Sequence, residues 1–109
     1  MRNPAVPLAF AAAVGIVGTA LGQPLPDRQT EIIHRLKQDC GSCHGLTLKV
    51  GLGPSLLPAA LDARPDEYLV HVILYGKPGT PMPPWSFEIA EDEAAWLVAR
   101  LKQGFRDGQ

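Results

Sequence analysis

Cys40-Gly41-Ser42-Cys43-His44 is the most specific stretch of this chain. Two thiols stand three positions apart and an imidazole follows at once. This is the attachment pattern of a c-type haem. Each thiol can add to one porphyrin vinyl group and form a thioether, and the spacing matches the separation of the two vinyls. His44 then falls beneath the ring, where its imidazole can take iron from the proximal side.

Other chemistries also use paired cysteines. A redox dithiol wants the pair at the start of a helix that follows a strand, within a βαβ pattern, and no such alternation occurs here. A structural zinc site needs four ligands. The chain has two cysteines, both in the motif, and His34 and His71 are the only other histidines. A disulfide across two intervening residues would close a loop too small to stabilise much. None of these explains why a histidine is the very next residue.

The 109 residues suffice for one domain. A formal net charge of -1 suggests neither nucleic acid nor an anionic membrane surface as partner. Eleven glycines and eleven prolines argue for long, shaped loops around few helices.

Residues 1–22 read as a secretory signal peptide. Arg2 supplies a positive start, residues 8–21 an apolar run, and Ala20-Leu21-Gly22 small residues for cleavage before Gln23. An uncleaved anchor is the competing reading, but the run is short of the ~20 residues a spanning helix prefers. Export to the periplasm agrees with the motif, since c-type haem is attached outside the cytoplasmic membrane in bacteria. Loss of Arg2 leaves nine basic against eleven acidic residues. Residues 23–109 then form a small haem domain with a modest core. A covalently held, largely apolar macrocycle would supply what that core lacks, so the haem-free chain is expected to fold poorly.

Three helices are expected and no strand. Residues 28–39 place Ile32, Ile33 and Leu36 on one face, with Asp27 as N-cap, and deliver the chain to Cys40. Residues 65–75 carry Pro65 in the first turn, Asp66 and Glu67 near the positive end of the dipole, and Gly76 as a stop. Residues 91–102 begin with Glu91, Asp92 and Glu93 and turn Trp96, Leu97 and Leu101 inward. His34 and His71 read as surface residues.

Residues 45–58 read as a loop broken by Gly51, Gly53 and Pro54. A proximal histidine needs an acceptor for its second ring nitrogen, and the Pro54 carbonyl is the candidate; Gly53-Pro54 as a mere turn is the alternative. In residues 77–86 four prolines exclude helix and strand. Met82, the only methionine after Met1, sits among them. A stiff loop can aim its thioether at iron as sixth ligand, which favours the reduced state; a core-filling methionine is the competing reading. Trp85 could cover the haem edge or bond a propionate, or simply anchor the loop.

With the motif, Gly53-Pro54 and Gly79-Thr80-Pro81-Met82-Pro83 in order, the mature chain resembles the class I cytochromes c. The resemblance implies an all-α fold of three to four short helices with long loops around one covalently bound haem. By position it implies His44 and Met82 as axial ligands and Pro54 as the partner of His44. More narrowly, Gly51-Leu52-Gly53-Pro54 and the run from Leu74 to Trp85 look like the small cytochrome c55X (NirC) proteins. These are encoded with cytochrome cd1 nitrite reductase in denitrifying bacteria. Ala90 departs from the family's usual Ser or Thr helix cap.

The function expected is single-electron transfer and not enzymic catalysis, because iron with both axial positions filled has no place for substrate. The resemblance implies a periplasmic redox partner: cytochrome cd1 nitrite reductase or an enzyme that matures its haem d1. Apolar surface near the haem edge, ringed by charges such as Lys49 and Lys77, would suit brief docking. A labile Met82 would instead allow gas binding or peroxide chemistry, but no acid–base residue beside it supports that reading.

Overall fold

The computed structural model describes residues 2–5, 7, 9, 23–49 and 51–105. Most of the proposed signal peptide, residues 10–22 and its cleavage site included, lies outside the described residues. Within them the chain is all-α, with no strand. Five α-helical segments follow in order: α1 Pro26–Arg35, α2 Gly41–His44, α3 Pro58–Leu61, α4 Asp66–Tyr75 and α5 Glu91–Gln103. A π-helical turn, Leu36–Cys40, joins α1 to α2.

Local chemistry sets these boundaries, with two corrections to the sequence reading. Leu25, in extended conformation, is the N-cap of α1, and Pro26 takes the first helical position. Asp27 is therefore inside the first turn and acts on the dipole instead of capping. Pro65 is likewise extended (ψ 144°) and caps α4 from outside. The α5 N-cap, Ala90, has no side-chain acceptor, and Glu93 Oε1 instead accepts the Ala90 amide at 2.9 Å. That is half of a capping box. Gly76 (φ 73°) and Gly104 (φ 90°) close α4 and α5 in a backbone region that side chains disfavour.

Two apolar clusters share α5. Leu97 and Leu101 pack with Ile32, Leu36 and Leu61. Ala94 packs with Leu74 and Ile89 on the other side, with Trp85 against them. Each fully buried Leu or Ile contributes about 1.5–3 kcal/mol relative to exposure. Arg28 fastens α1 to the start of α5: its Nε donates to Glu93 Oε2 at 2.5 Å and its Nη2 to the Glu88 carbonyl at 2.5 Å. α5 is thus the shared support, with α1 and the π turn meeting it through Ile32, Leu36 and Arg28, and α3 and α4 packed against it as well. No helix among the described residues is long and apolar enough to cross a membrane.

Candidate haem site

The motif rides on the end of the first helix. In the π turn the Gly41 amide bonds to the Leu36 carbonyl, five residues back, instead of four. The wider turn re-aims the residues that follow it. Leu36 stays in the core while Cys40 is half-buried and Cys43 exposed. Gly45 (φ 92°) then stops the helix directly after His44.

Past Gly45 the backbone folds back beneath the histidine. The Gly53 amide donates to the Cys43 carbonyl at 2.7 Å. His44 Nδ1 lies 2.7 Å from the Pro54 carbonyl oxygen. A carbonyl can only accept, so Nδ1 carries the proton and Nε2 is left with a free lone pair. The approach is close enough to require glycine at two places. A Cβ on Gly53 would stand 2.8 Å from Nδ1 and Cε1 of the ring, and one on Gly51 would collide with the Cys43 carbonyl. In sequence these two glycines mark a loop and belong to the Gly51-Leu52-Gly53-Pro54 run that resembles the family, but their clearance for the imidazole is visible only in the fold.

Across from this segment, residues 77–85 leave α4 and return. The Lys77 amide donates to the Met82 carbonyl at 3.2 Å, and Thr80 Oγ1 accepts from the Met82 amide at 3.4 Å. Gly76 lies under Met82, where a Cβ would be 2.7 Å from the Met82 carbonyl oxygen. Trp85 ends the loop by donating its amide to the Ile73 carbonyl at 3.0 Å. Its ring stacks on Phe87 at 5.8 Å between centroids, and the Arg35 guanidinium lies 5.7 Å from the ring centre. Trp85 therefore anchors the loop and also faces the cavity between the two segments.

That cavity has a volume of about 750 Å³, and Cys40, Cys43, His44, Pro54, Met82 and Trp85 all line it. The six residues singled out in the sequence thus come together at one place. Most of the remaining wall is apolar, and the larger core cluster supplies part of it, including Leu36, Leu61, Leu97 and Leu101. His34 and His71 are on the surface, away from the lining; His71 packs on Tyr75 at 4.9 Å.

Burial pushes the Cys40 thiol up to about 11, and the charge of Asp39 adds to the rise. A redox-active dithiol needs the opposite, a lowered thiol pKa. The donor set fits a covalently held haem instead. Two thiols lie at thioether spacing, an imidazole presents Nε2, and a soft thioether sulfur shares the same apolar cavity. Fold and site together define a c-type cytochrome.

Comparison with known proteins agrees. The family model for cytochrome c oxidase, cbb3-type, subunit III matches residues 27–100. Cytochrome c55X of Pseudomonas aeruginosa is 52% identical over 97 residues, which span 89% of this chain and 82% of that protein. The solved structure of a c-type cytochrome NirC superposes with a TM-score of 0.73 at 54% identity, covering 74% of this chain and 95% of that one. A dihydro-heme d1 dehydrogenase of P. aeruginosa is 35% identical over 91 residues, 84% of this chain but 18% of that larger protein. The chain belongs to the cytochrome c55X family of c-type cytochromes. It is a haem c protein of electron transport, not an enzyme.

Proposed function

We propose that this chain is a periplasmic cytochrome with one haem, bound through Cys40 and Cys43 with His44 and Met82 as axial ligands. It would carry single electrons to cytochrome cd1 nitrite reductase or into haem d1 maturation. The observation that carries the ligand assignment is the convergence of those four side chains on one cavity, with His44 Nδ1 held by the Pro54 carbonyl.

When bound, haem c supplies a one-electron ferric/ferrous couple. His44 presents Nε2 in a fixed tautomer because Nδ1 is committed to Pro54. Cys40 and Cys43 would tether the group through thioethers. Met82 offers a soft sulfur that favours the reduced state. The prolines around it restrict the loop that carries that sulfur, and the apolar walls would exclude water from the group. His44 and Met82 would be its two protein ligands, which would leave no place for a substrate at the metal. A six-coordinate carrier suits this arrangement better than a gas-binding site.

Residues 1–22 serve as a cleaved leader and residues 23–109 as the cytochrome domain, on the sequence reading of the leader. The denitrification setting rests on the family's association with cytochrome cd1. The haem d1 branch is supported further by the related segment within a dihydro-heme d1 dehydrogenase. Stopped-flow oxidation of the reduced protein by candidate periplasmic acceptors tests the partner. Rapid, salt-dependent transfer to cytochrome cd1 nitrite reductase or to a haem d1 maturation enzyme is expected. No transfer to either would overturn this part of the proposal.

A further inference from the structure

A second cavity, of about 360 Å³, lies between α1 and α5 and shares no lining residue with the haem site. Gln29 and Ile33 of α1 and Trp96, Arg100 and Gln103 of α5 line it, and so does Gln23. Gln23 is the residue that leader cleavage would make the first of the mature chain. The segment after it is docked on α1. Pro24 is buried and its carbonyl accepts from Gln29 Nε2 at 2.8 Å, while the Leu25 carbonyl accepts the Gln29 amide at 2.9 Å. An N-terminus released at Gln23 would therefore stay at this cavity.

Cleavage there would leave an α-ammonium in positive surroundings. Arg100 is the one charged side chain among the described lining residues. The positive end of the α1 dipole follows at Pro26. The acidic side chain nearest in sequence, Asp27, is exposed and lies outside the lining. Like charges disfavour the ammonium and leave more of the amine as a free nucleophile. Arg100 also lacks a partner. Its Nε is buried with no hydrogen-bond acceptor among the described residues, while its guanidinium lies 5.3 Å from the centre of the Phe105 ring. A buried donor left unpaired is costly.

An N-terminal glutamine has one reaction that relieves both. Its free amine attacks the Cδ carbonyl of its own side-chain amide. A ring C–N bond forms, the bond to the side-chain nitrogen breaks, and ammonia leaves with the proton that the amine gives up. No oxidant or reductant takes part. The pyroglutamate produced is uncharged, and its lactam carbonyl is an acceptor for Arg100 Nε. We infer that Gln23 of the mature chain is cyclised to pyroglutamate and that the lactam seats in this cavity against Arg100. The inference rests on the cleaved-leader reading and extends it.

The test uses exported, haem-loaded protein: wild type, Gln23→Ala, Arg100→Met and the double variant. The intact mass of wild type should equal residues 23–109 plus haem, less one ammonia, and N-terminal sequencing should be blocked. Gln23→Ala cannot cyclise, so it should keep a free amine and unfold at lower urea than wild type. In the Arg100→Met background the same change should move the urea midpoint less. If Arg100→Met does not accumulate, Arg100→Lys, which has no Nε donor, takes its place. A wild-type chain with a free, sequenceable Gln23 would overturn the inference. So would a urea midpoint that Gln23→Ala leaves unchanged, or shifts equally in both backgrounds. A wild-type mass that retains residues 1–22, or a mature chain that begins elsewhere, would instead overturn the leader reading.

Discussion

Around His44 the chain is closed by main-chain contacts: Gly53 amide to Cys43 carbonyl, Pro54 carbonyl to the imidazole, and two glycines where no Cβ fits. Around Met82 the main chain is also closed, by Thr80 Oγ1 donating to the Lys77 carbonyl at 2.7 Å, by two longer bonds to Met82 at 3.2 and 3.4 Å, and by Gly76, where no Cβ fits. These contacts hold the backbone of the loop, whereas those at His44 reach the ligating ring itself. The histidine wall therefore packs backbone directly on its ligand, while the methionine wall fixes the loop and its proline torsions around a side chain that none of these bonds touches. A wall of the first kind should fail as a whole when one part is changed. A wall of the second kind should lose its ligand and otherwise persist.

The largest effect is expected at the histidine. His44→Ala should abolish stable maturation, seen as loss of pyridine haemochrome signal in exported protein. Next comes Gly53→Ala, whose methyl group would press on the imidazole. Overpacking of this kind costs about 1–3 kcal/mol, so holo-protein should unfold at lower denaturant than wild type. Gly79→Ala on the other loop is the matched control. Gly79 has a positive φ of 78° but open space at its Cβ position, so strain alone operates there. Equal losses in the two variants would break the contrast between the walls.

Met82→Ala should leave haem attached and the fold intact while lowering the potential and admitting carbon monoxide to the ferrous protein. An unchanged potential would remove Met82 as a ligand. The smallest effect is expected away from both walls. The Arg28 guanidinium holds the Glu93 carboxyl below its ordinary range. The stability this pair contributes is present at neutral pH and is lost as pH falls through the lowered pKa of Glu93. Glu93→Gln should cost about 0–1 kcal/mol at neutral pH, and the gap to wild type should close on acidification. A gap that persists in acid would show that packing, not charge, matters there.

The same contrast governs what could be read from sequence. The motif, the Pro54 carbonyl and the proline-flanked Met82 are local signals, and all three fall on the cavity. The three main helices were legible because their apolar spacing and end signals are local too. What was missed depends on contacts between distant segments. Gly51 and Gly53 looked like loop breakers because the histidine they clear is set only by the fold. The π turn at Leu36–Cys40 leaves no mark in composition. The expected cap at Asp27 lies two positions past the actual one, Leu25, and Pro65 lies one position outside the helix it was expected to start, since a proline at the helix start shifts where capping begins. Glu93 was read as a dipole residue, yet it also bonds the Ala90 amide and ties α5 to Arg28, 65 positions earlier.

The most direct measurement is the optical spectrum of the oxidised protein made in a host equipped for cytochrome c assembly. A Soret band together with the weak far-red charge-transfer band of methionine-ligated ferric iron is predicted for wild type, the far-red band vanishing in Met82→Ala. Colourless protein, or coloured protein without the far-red band, would contradict a haem closed between His44 and Met82.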